Sequence, residues 1–340
     1  MSNSSTDFSI VIPTRNGAAT LAKTIQSALA QTYPRFEVVI LESGSTDTTL
    51  DIIRGFDDPR LRLLSAPESL DIHANWARML DLPLRPYLTI LGHDDLFYPD
   101  FLAEIAALIE RHPDASLYHT HFDLIDADDH VIRPCKPFPE RESGEAFLQA
   151  RQRYERDIFA TGYVMRSADY VRIGGFPPFP RLYYADDFCF YQLGAVSGVA
   201  CSPKSAFGYR YHRVSAAYAI DLLTLYEASR QYLIALNETA YGESESNRAL
   251  ARGFVEKTFA RRYHRLLYDL FADGSRDAIT RYKHDKRELF ARAEQDKLFA
   301  IYDPASAALD RLLDLPLGAL KRGVVGAIRA FAVASRGIRK

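Results

Sequence analysis

Cysteine is scarce in this chain, which holds only Cys135, Cys189 and Cys201 among 340 residues. An odd number of cysteines without C-x-x-C spacing argues against a disulfide framework and against a zinc ribbon. An excess of one charge is also lacking, because 42 basic and 44 acidic side chains give a net charge of −2. This balance argues against a dedicated nucleic-acid binder. The hydrophobic fraction of 47% is typical of a globular protein and excludes a disordered chain.

Long apolar runs are missing as well. No stretch of 18 or more apolar residues occurs, so the sequence predicts no membrane span. The first seven residues are polar, and no basic segment followed by an apolar one is found there. A secretory signal peptide is therefore not predicted, and we expect a cytoplasmic protein.

The balanced total conceals an uneven distribution of charge. Residues 311–340 hold seven basic side chains against one acid, Asp314, and apolar residues are interleaved with them. A helix with an apolar face and cationic flanks can lie on an anionic membrane surface, here the inner face of the plasma membrane. The alternative is a helix that packs on the protein body with its basic side chains in solvent. The sequence leaves both alternatives open.

The first half of the chain alternates short apolar runs with helical patterns. The predicted strands are 8–12, 36–41, 61–64, 87–91 and 116–121, the first of them ended by Pro13. The predicted helices between them are 21–29, 48–55, 74–82 and 100–111. This alternation predicts an α/β fold in which a mostly parallel sheet lies between helices.

The second half of the chain has a different pattern. Residues 130–160 are irregular and indicate a loop or an insertion near a site. We expect acceptor recognition over residues 130–165 and in the helical C-terminal part. From about residue 216 onward the pattern is helical, with predicted helices at 218–236, 247–271 and 285–302. We therefore expect an α/β domain over 1–215, a helical region over 216–310 and a basic tail over 311–340.

Polar loops follow three of the predicted strands, at 13–17, 42–47 and 92–95. In an open parallel sheet, ligands bind beyond the carboxyl ends of the strands, where the strand order reverses. A G-x-G-x-x-G dinucleotide motif and a P-loop are both absent. The adjacent acids Asp94 and Asp95 remain, and carboxylates at a strand end suit Mg²⁺ or Mn²⁺. The alternative is that one acid caps a turn and the other is solvated.

The ordered set of motifs resembles the family 2 glycosyltransferases, which have the GT-A fold. Residues 8–17, 27–34 and 36–47 resemble the opening of that family, and 94–99 resembles its metal-binding D-x-D region. Later segments are similar to the family's G-G-F, E-D and closing histidine motifs, at 173–176, 186–187 and 209–215. The resemblance covers about residues 8–215, and the set is specific because its members occur in the family's order.

The resemblance implies that a sugar is transferred, with inversion, from a nucleotide-diphosphate sugar to a hydroxyl of a glycan or lipid-linked acceptor, in the synthesis of a cell-surface polysaccharide or glycolipid. It implies Asp187 as the general base and Mg²⁺ or Mn²⁺ as the cofactor, at a metal site formed by Asp94, Asp95 and His212. The nucleotide-sugar site implied by the resemblance consists of Pro13, Thr14, Asn16, Glu42, Ser43, Asn75, Arg78 and Asp94.

Three positions depart from the family pattern. Gly92 stands where the family commonly has the first acid of D-x-D, and Ser43 replaces an acid that often contacts the base. Asp186 replaces a glutamate, which is a mild change. The choice between uridine, deoxythymidine and guanosine donors is therefore left open.

Two alternative functions follow from particular residues. Because Gly92 interrupts the metal motif, the chain could bind a nucleotide sugar without catalysing a reaction. His119, His121 and Asp123 alternate along one predicted strand and share a face, which would allow the metal site of a hydrolase. The alternative for these three side chains is a polar face of the sheet.

Overall fold

The computed structural model describes residues 6–211, 221–273, 276–296, 298–299 and 301. The chain divides into two compact units, Met1–Ala217 and Tyr218–Lys340. The basic tail and His212 lie outside the described residues, as does the segment around residue 215. The three-segment division expected from the sequence therefore stays a prediction.

The first unit is built on a mixed sheet of ten strands within the described residues. The strands are β1 Phe8–Thr14, β2 Phe36–Glu42, β3 Leu61–Ser65, β4 Tyr87–Ile90, β5 Leu96–Phe97, β6 Leu117–Ile125, β7 Val131–Pro134, β8 Arg141–Glu142, β9 Tyr163–Arg166 and β10 Val199–Arg210. Their order is β3-β2-β1-β4-β9-β6-β10-β5, with β7 paired to β6 and β8 to β10. The first four pair in parallel, as do β6 and β10, whereas β9 is antiparallel to both its neighbours.

Helices flank this sheet and alternate with its strands along the chain, so the predicted α/β class is confirmed. The helices are α1 Leu21–Leu29, α2 Thr49–Arg54, α3 Ile72–Ala77, α4 Phe101–Arg111, α5 Gly144–Gln152, α6 Ser167–Arg172 and α7 Ala185–Ser197. The predicted helix 74–82 is shorter than expected, since α3 gives way to a 3-10 turn over Arg78–Asp81. Leu82 precedes Pro83 and is extended, because a residue before proline disfavours the helical region.

Strands β1 and β2 are buried along their whole length. Parallel strands covered on both faces read as continuous apolar runs, which is why the sequence predicted them. The prediction that Pro13 ends the first strand is wrong, because β1 continues to Thr14 and Pro13 pairs with Leu41. Pairing with β4 stops at Val11, whose carbonyl accepts from Leu91, so the missing N–H of Pro13 breaks no bond on that side.

The strand order reverses between β1 and β4. From β1 the chain proceeds outward to β2 and β3, and it then returns to place β4 on the other side of β1. The carboxyl ends of β1 and β4 therefore border a crevice of the kind in which open α/β sheets bind ligands. The loops after these two strands contain Thr14–Gly17 and Gly92–Asp95.

Helices α5 and α7 approach each other closely through two glycines. A Cβ atom at Gly144 would lie 2.4 Å from the Ala195 nitrogen, and one at Gly194 would lie 2.6 Å from the Gly144 Cα. Both contacts are with backbone, which cannot move aside as the end of a flexible side chain can. The irregular region 130–160 of the sequence thus contains a helix that is fixed against α7.

The second unit is described as three α-helices and a 3-10 turn at Ala240–Glu243, so the helical pattern of the sequence is confirmed, whereas the helix predicted at 285–302 begins earlier, at Arg276, and ends at Asp296. The α-helices are α8 Leu222–Asn237, α9 Glu245–Asp273 and α10 Arg276–Asp296. Asp221 caps α8 by accepting a hydrogen bond from the Thr224 N–H at 2.8 Å. Among the helices that the structure describes, none is long and apolar enough to cross a bilayer.

Replacing Gly144 by alanine should lower the free energy of unfolding by about 1–3 kcal/mol, because the new methyl group meets the backbone of α7. Urea denaturation of the whole chain measures the change. Gly253 is the matched control, since a Cβ atom there meets nothing within 4 Å. Gly253→Ala should stabilise α9 by about 0.5–1 kcal/mol. A Gly144→Ala protein as stable as the unmodified chain would contradict this account of the helix contact.

Candidate active site

The loops after β1 and β2 are joined by hydrogen bonds. Asn16 has a left-handed backbone conformation, with φ of 52°. Its N–H donates to the Ser45 Oγ at 2.9 Å, and its side-chain oxygen accepts from the Thr46 N–H at 2.8 Å. The Gly17 N–H donates to the Thr49 Oγ1 at 2.9 Å. Two of the three loops that the sequence singled out therefore form one connected edge of the crevice.

Glu42 and Thr14 lie at the base of this edge. Glu42 is only 1% exposed, and its Oε1 accepts from the Ser45 N–H at 2.5 Å. Ser43 is buried and donates its N–H to the Thr14 carbonyl at 3.1 Å. The Thr14 Oγ1 is buried without a hydrogen-bond partner among the described residues. A buried hydroxyl without a partner is costly in free energy, so Thr14 is suited to bind a polar atom of a ligand.

Asn75 and Arg78 are placed behind the loop after β2. The Asn75 amide donates to the Leu41 carbonyl at 2.9 Å and accepts from Arg78 at 2.9 Å. Arg78 also donates to the carbonyls of Glu42 and Leu64, at 3.0 and 2.7 Å. Both side chains thus hold the ends of β2 and β3 together. Their part in nucleotide binding stays a prediction.

The acidic loop Gly92–Asp95 is attached to α1 by two threonines. Thr20 and Thr24 both donate to the His93 carbonyl, at 2.9 and 3.0 Å. Thr24 also lies 3.0 Å from the Asp95 carbonyl and donates there. The loop after β4 is therefore fixed from the side of the helix that follows β1.

The Asp95 carboxylate faces the protein interior. It is 3% exposed, and its Oδ1 accepts from the main-chain N–H of Arg210 at 2.8 Å. Burial raises the pKa of the Asp95 carboxyl well above its ordinary value, and the charge of Asp94 raises it further. A Cβ atom at Gly92 would lie 2.5 Å from the Asp95 Oδ2. Because Gly92 has no side chain, the Asp95 carboxylate occupies the space that an acid at position 92 would need.

Arg210, the last residue of β10, binds the acidic loop and a neighbouring turn. Its side chain is 2% exposed, and its Nε donates to the Asp94 carbonyl at 2.7 Å. The guanidinium also donates to the Asp126 carbonyl and the Asp129 carboxylate, which in turn pairs with Lys23 of α1. The backbone of Asp94 is therefore held by a buried, charge-assisted network.

Asp94 is half-buried on this loop, at the crevice where the strand order reverses. Mg²⁺ usually binds proteins through one or two carboxylates together with substrate phosphates. The oxygen ligand at Asp94 fits that requirement, whereas the Asp95 carboxylate already accepts from the Arg210 backbone. The predicted metal roles of Asp95 and His212 stay predictions, and His212 lies outside the described residues.

The second acidic pair, Asp186 and Asp187, lies in the first turn of α7. Asp187 is 1% exposed, and its Oδ1 accepts from the Arg151 Nε at 2.9 Å. Burial raises the pKa of Asp187, and Arg151 opposes that rise. Asp186 is half-buried; burial, followed by the charge of Asp187, raises its pKa to about 7. None of the described hydrogen bonds joins this pair to the loop Gly92–Asp95.

The side chains of the hydrolase alternative do not converge. His119 is buried, and burial lowers the pKa of its imidazole to about 3. The His121 Nε2 accepts from the Phe138 N–H at 3.1 Å, and Asp123 accepts from the Tyr98 hydroxyl at 3.0 Å. Among the described residues, the group of three whose ligand atoms all lie within 4.8 Å of one another is instead Asp126, Asp128 and His130, at a turn where Asp126 is half-buried and the other two are exposed.

Residues 9–170 match the family model described as Glycosyl transferase family 2. The chain contains a family 2 glycosyltransferase domain. The match includes the three loops of the crevice but ends before the Asp186–Asp187 pair. Thr14, Glu42 and Asp94 therefore lie within the matched glycosyltransferase domain.

Two curated relatives are glycosyltransferase or polysaccharide-biosynthesis proteins. A "PGL/p-HBAD biosynthesis glycosyltransferase" of Mycobacterium tuberculosis is 38% identical over 115 residues, which are 33% of this chain and 45% of the relative. The chain thus spans less than half the length of this relative. The succinoglycan biosynthesis protein ExoU of Rhizobium meliloti is 27% identical over 254 residues, covering 67% of this chain and 70% of ExoU.

A solved structure shares the fold. Residues 1–349 of S. aureus TarS, in complex with UDP-GlcNAc, superpose with a TM-score of 0.59 at 14% sequence identity. The similarity covers 81% of this chain and 83% of the TarS chain. The mixed sheet with flanking helices is therefore the GT-A fold, as the motifs implied.

Sequence reasoning missed two arginines that hold the acids. Arg210 lies within the closing segment 209–215, so its place in a family motif was a usable signal. Arg151 lies in the irregular region between the motifs, and nothing in the pattern pointed to it. Both act on acids distant in sequence, 116 residues away for Asp94 and 36 for Asp187.

Gly92→Asp would complete the D-x-D motif, yet we expect it to lower the free energy of unfolding by about 1–3 kcal/mol. The new side chain must occupy the space of the Asp95 carboxylate. Gly92→Ala adds only the Cβ atom and should show most of the loss in chemical denaturation. Asp94→Asn on the same loop is the control and should change stability little. If both Gly92 variants unfold like the unmodified chain, the proposed crowding is wrong.

Proposed function

We propose that this chain transfers a sugar from a nucleotide-diphosphate sugar to an acceptor hydroxyl with inversion at the anomeric carbon. The observation that carries the proposal is the acidic loop of a family 2 domain, fixed where the strand order reverses. The Thr14 hydroxyl, which has no described partner, belongs to the same crevice. A structure of the same fold was solved with UDP-GlcNAc, which supports a nucleotide-sugar donor.

The connected loops after β1 and β2 are proposed to hold the nucleotide. Pro13, Thr14 and Asn16 supply one wall, and the buried Glu42 and Ser43 supply the other. Asn75 and Arg78 keep the second wall in place by binding the main chain of β2 and β3. A wall that is already hydrogen-bonded loses little conformational entropy when it binds a ligand.

Departure of the nucleotide diphosphate builds negative charge on the leaving group. We assign Asp94 as the residue that would hold Mg²⁺ or Mn²⁺, with His212 as a further predicted ligand. A divalent cation held by Asp94 would supply positive charge to the departing diphosphate. Arg210 holds the Asp94 carbonyl, and Thr20 and Thr24 hold the carbonyls on either side of it, so the loop is in place before the donor arrives.

The acceptor hydroxyl must lose its proton as it attacks the anomeric carbon. We propose Asp187 as the general base, in agreement with its place in the family motif. The carboxylate is kept out of water and paired with Arg151. A positioned base contributes about 10²–10⁴-fold to the rate.

The acceptor is proposed to be a glycan or a lipid-linked molecule in the synthesis of a cell-surface polysaccharide or glycolipid. The similarity to ExoU, a succinoglycan biosynthesis protein, supports a role of this kind. Contact of residues 311–340 with the inner face of the plasma membrane belongs to the same proposal, and that tail lies outside the described residues.

A panel of nucleotide-diphosphate sugars, tested for binding by calorimetry and for slow hydrolysis with Mn²⁺, tests the function. At least one donor should bind and turn over. Asp187→Asn should bind that donor with unchanged affinity and lose about 10²–10⁴-fold of the rate. A donor that binds but never turns over would indicate an inactive binder, and a chain that binds no donor would reject the proposal. Equal turnover by Asp187→Asn would reject Asp187 as the base.

Asp94→Ala should weaken donor binding about 10-fold or more and abolish its enhancement by Mn²⁺, because the carboxylate ligand is lost. Calorimetric titration with and without MnCl₂ measures both effects. Asp128→Asn is the control, since the exposed Asp128 belongs to the group Asp126, Asp128 and His130 rather than to the acidic loop. If Asp128→Asn abolishes the Mn²⁺ effect and Asp94→Ala does not, the metal belongs to the turn.

A further inference from the structure

Helices α5 and α7 touch at two levels. Gly144, at the start of α5, packs on the backbone of Gly194 near the end of α7. Arg151, in the last turn of α5, bonds to Asp187 in the first turn of α7. Seven residues, about 10 Å of helix, separate the two contacts on each helix. The helices therefore run antiparallel, and both contacts lie on the same face because seven residues are close to two full turns.

This geometry brings two oppositely charged helix ends together. The guanidinium of Arg151 belongs to the carboxyl end of α5, where the helix dipole favours a cation. Asp187 belongs to the amino end of α7, where the dipole favours an anion. The exposed fractions of the two side chains are 25% for Arg151 and 1% for Asp187, so the pair is shielded from water. The close glycine contact leaves the two groups little freedom to separate.

Asp186 is the other carboxyl group of the pair that can carry the negative charge. Its Oδ1 accepts from the main-chain N–H of Asp187 at 2.9 Å, and the charge of the Asp187 carboxylate acts on the Asp186 carboxyl. Two interacting carboxyl groups do not both ionise readily, and burial, followed by the charge of Asp187, raises the pKa of the half-buried Asp186 to about 7. The other titratable groups described near the pair are the Cys189 thiol and the Tyr163 phenol; burial raises the pKa of both well above ordinary values, so they stay neutral.

We propose that Arg151 is a positioning residue that assigns the negative charge of the pair to Asp187 rather than to Asp186 and holds that carboxylate for proton abstraction. The proposal rests on the proposed function, since it concerns the base of that reaction. Arg151 contacts the proposed base and is proposed to act through it. The arginine is thus a residue of the irregular region 130–160 that sets the protonation of a group on α7.

The pH dependence of kcat/KM tests this role, because a merely structural residue would not move it. Loss of Arg151 removes the interaction that lowers the pKa of Asp187, so the acid limb of the profile should move to higher pH. A shift of about 1–3 pH units is expected for Arg151→Met, the range for a carboxylate that loses an adjacent cation. Arg151→Lys keeps the positive charge, so the acid limb should return most of the way to its position in the unmodified chain. An unchanged limb in Arg151→Met overturns the proposal.

Two matched variants sharpen the result. Arg153→Met removes an exposed arginine just past the end of α5 and should leave the profile unchanged. Asp186→Asn removes the competing carboxyl while Arg151 still holds Asp187, so transfer and its acid limb should persist. Loss of transfer in Asp186→Asn with retention in Asp187→Asn would overturn the assignment of the charge.

A readout without turnover separates this inference from the proposed function. In protein labelled with ¹³C at the aspartate carboxyl carbon, the signal lost in Asp187→Asn reports the titration of that group. This signal should titrate at higher pH in Arg151→Met than in the unmodified chain, and an identical titration rejects the inference. If instead the titration shifts while no donor of the panel is turned over, the proposed function fails and the role of Arg151 in fixing the charge stands.

Discussion

The hydrogen bond from the Arg210 backbone to the Asp95 carboxylate is the contact on which the candidate site depends. It joins the loop after β4 to the end of β10, two strands that the sheet order keeps apart. A buried carboxyl group costs free energy unless its oxygens are hydrogen-bonded, so the Arg210 N–H offsets part of the cost of burying Asp95. The side chain of Arg210 also donates to the Asp94 carbonyl, so one residue of β10 holds both acids of the loop. Gly92 belongs to this arrangement because a side chain there would meet the Asp95 carboxylate.

The two acidic pairs share a design but use their arginines differently. In each pair one carboxylate is nearly fully buried and the other half-buried. The Arg210 side chain binds a main-chain carbonyl of its pair and thereby fixes the backbone. Arg151 binds the carboxylate of Asp187 itself and thereby fixes a charge. A metal ligand requires a fixed backbone with an accessible carboxylate, whereas a base requires a defined protonation state, so the two kinds of contact suit the two proposed roles.

Much of the first unit could be predicted from the sequence, because parallel strands buried on both faces read as apolar runs and their polar loops mark the crevice. The direction in which individual side chains point could not be predicted from the sequence. Asp94 and Asp95 are equivalent in the sequence, and only the approach of β10 turns one carboxylate inward. Arg151 was missed because residues 130–160 were interpreted as irregular, so helix α5 itself was not predicted, and periodicity would not have identified the helix that α5 meets. The contact of Gly144 with α7 decides that, and it depends on the tertiary arrangement.

The absence of an acid at Gly92 has a consequence for how a cation would bind. With the Asp95 carboxylate committed to the Arg210 backbone, Asp94 is the acid of this loop assigned to a divalent cation. One carboxylate is a weak site by itself, and substrate phosphates complete the coordination of Mg²⁺ in such sites. Cation and donor should therefore bind cooperatively, and linkage requires that each raise the affinity of the other by the same factor. The crowding of Gly92 by Asp95 thus favours a site that assembles with its substrate over a preformed metal centre.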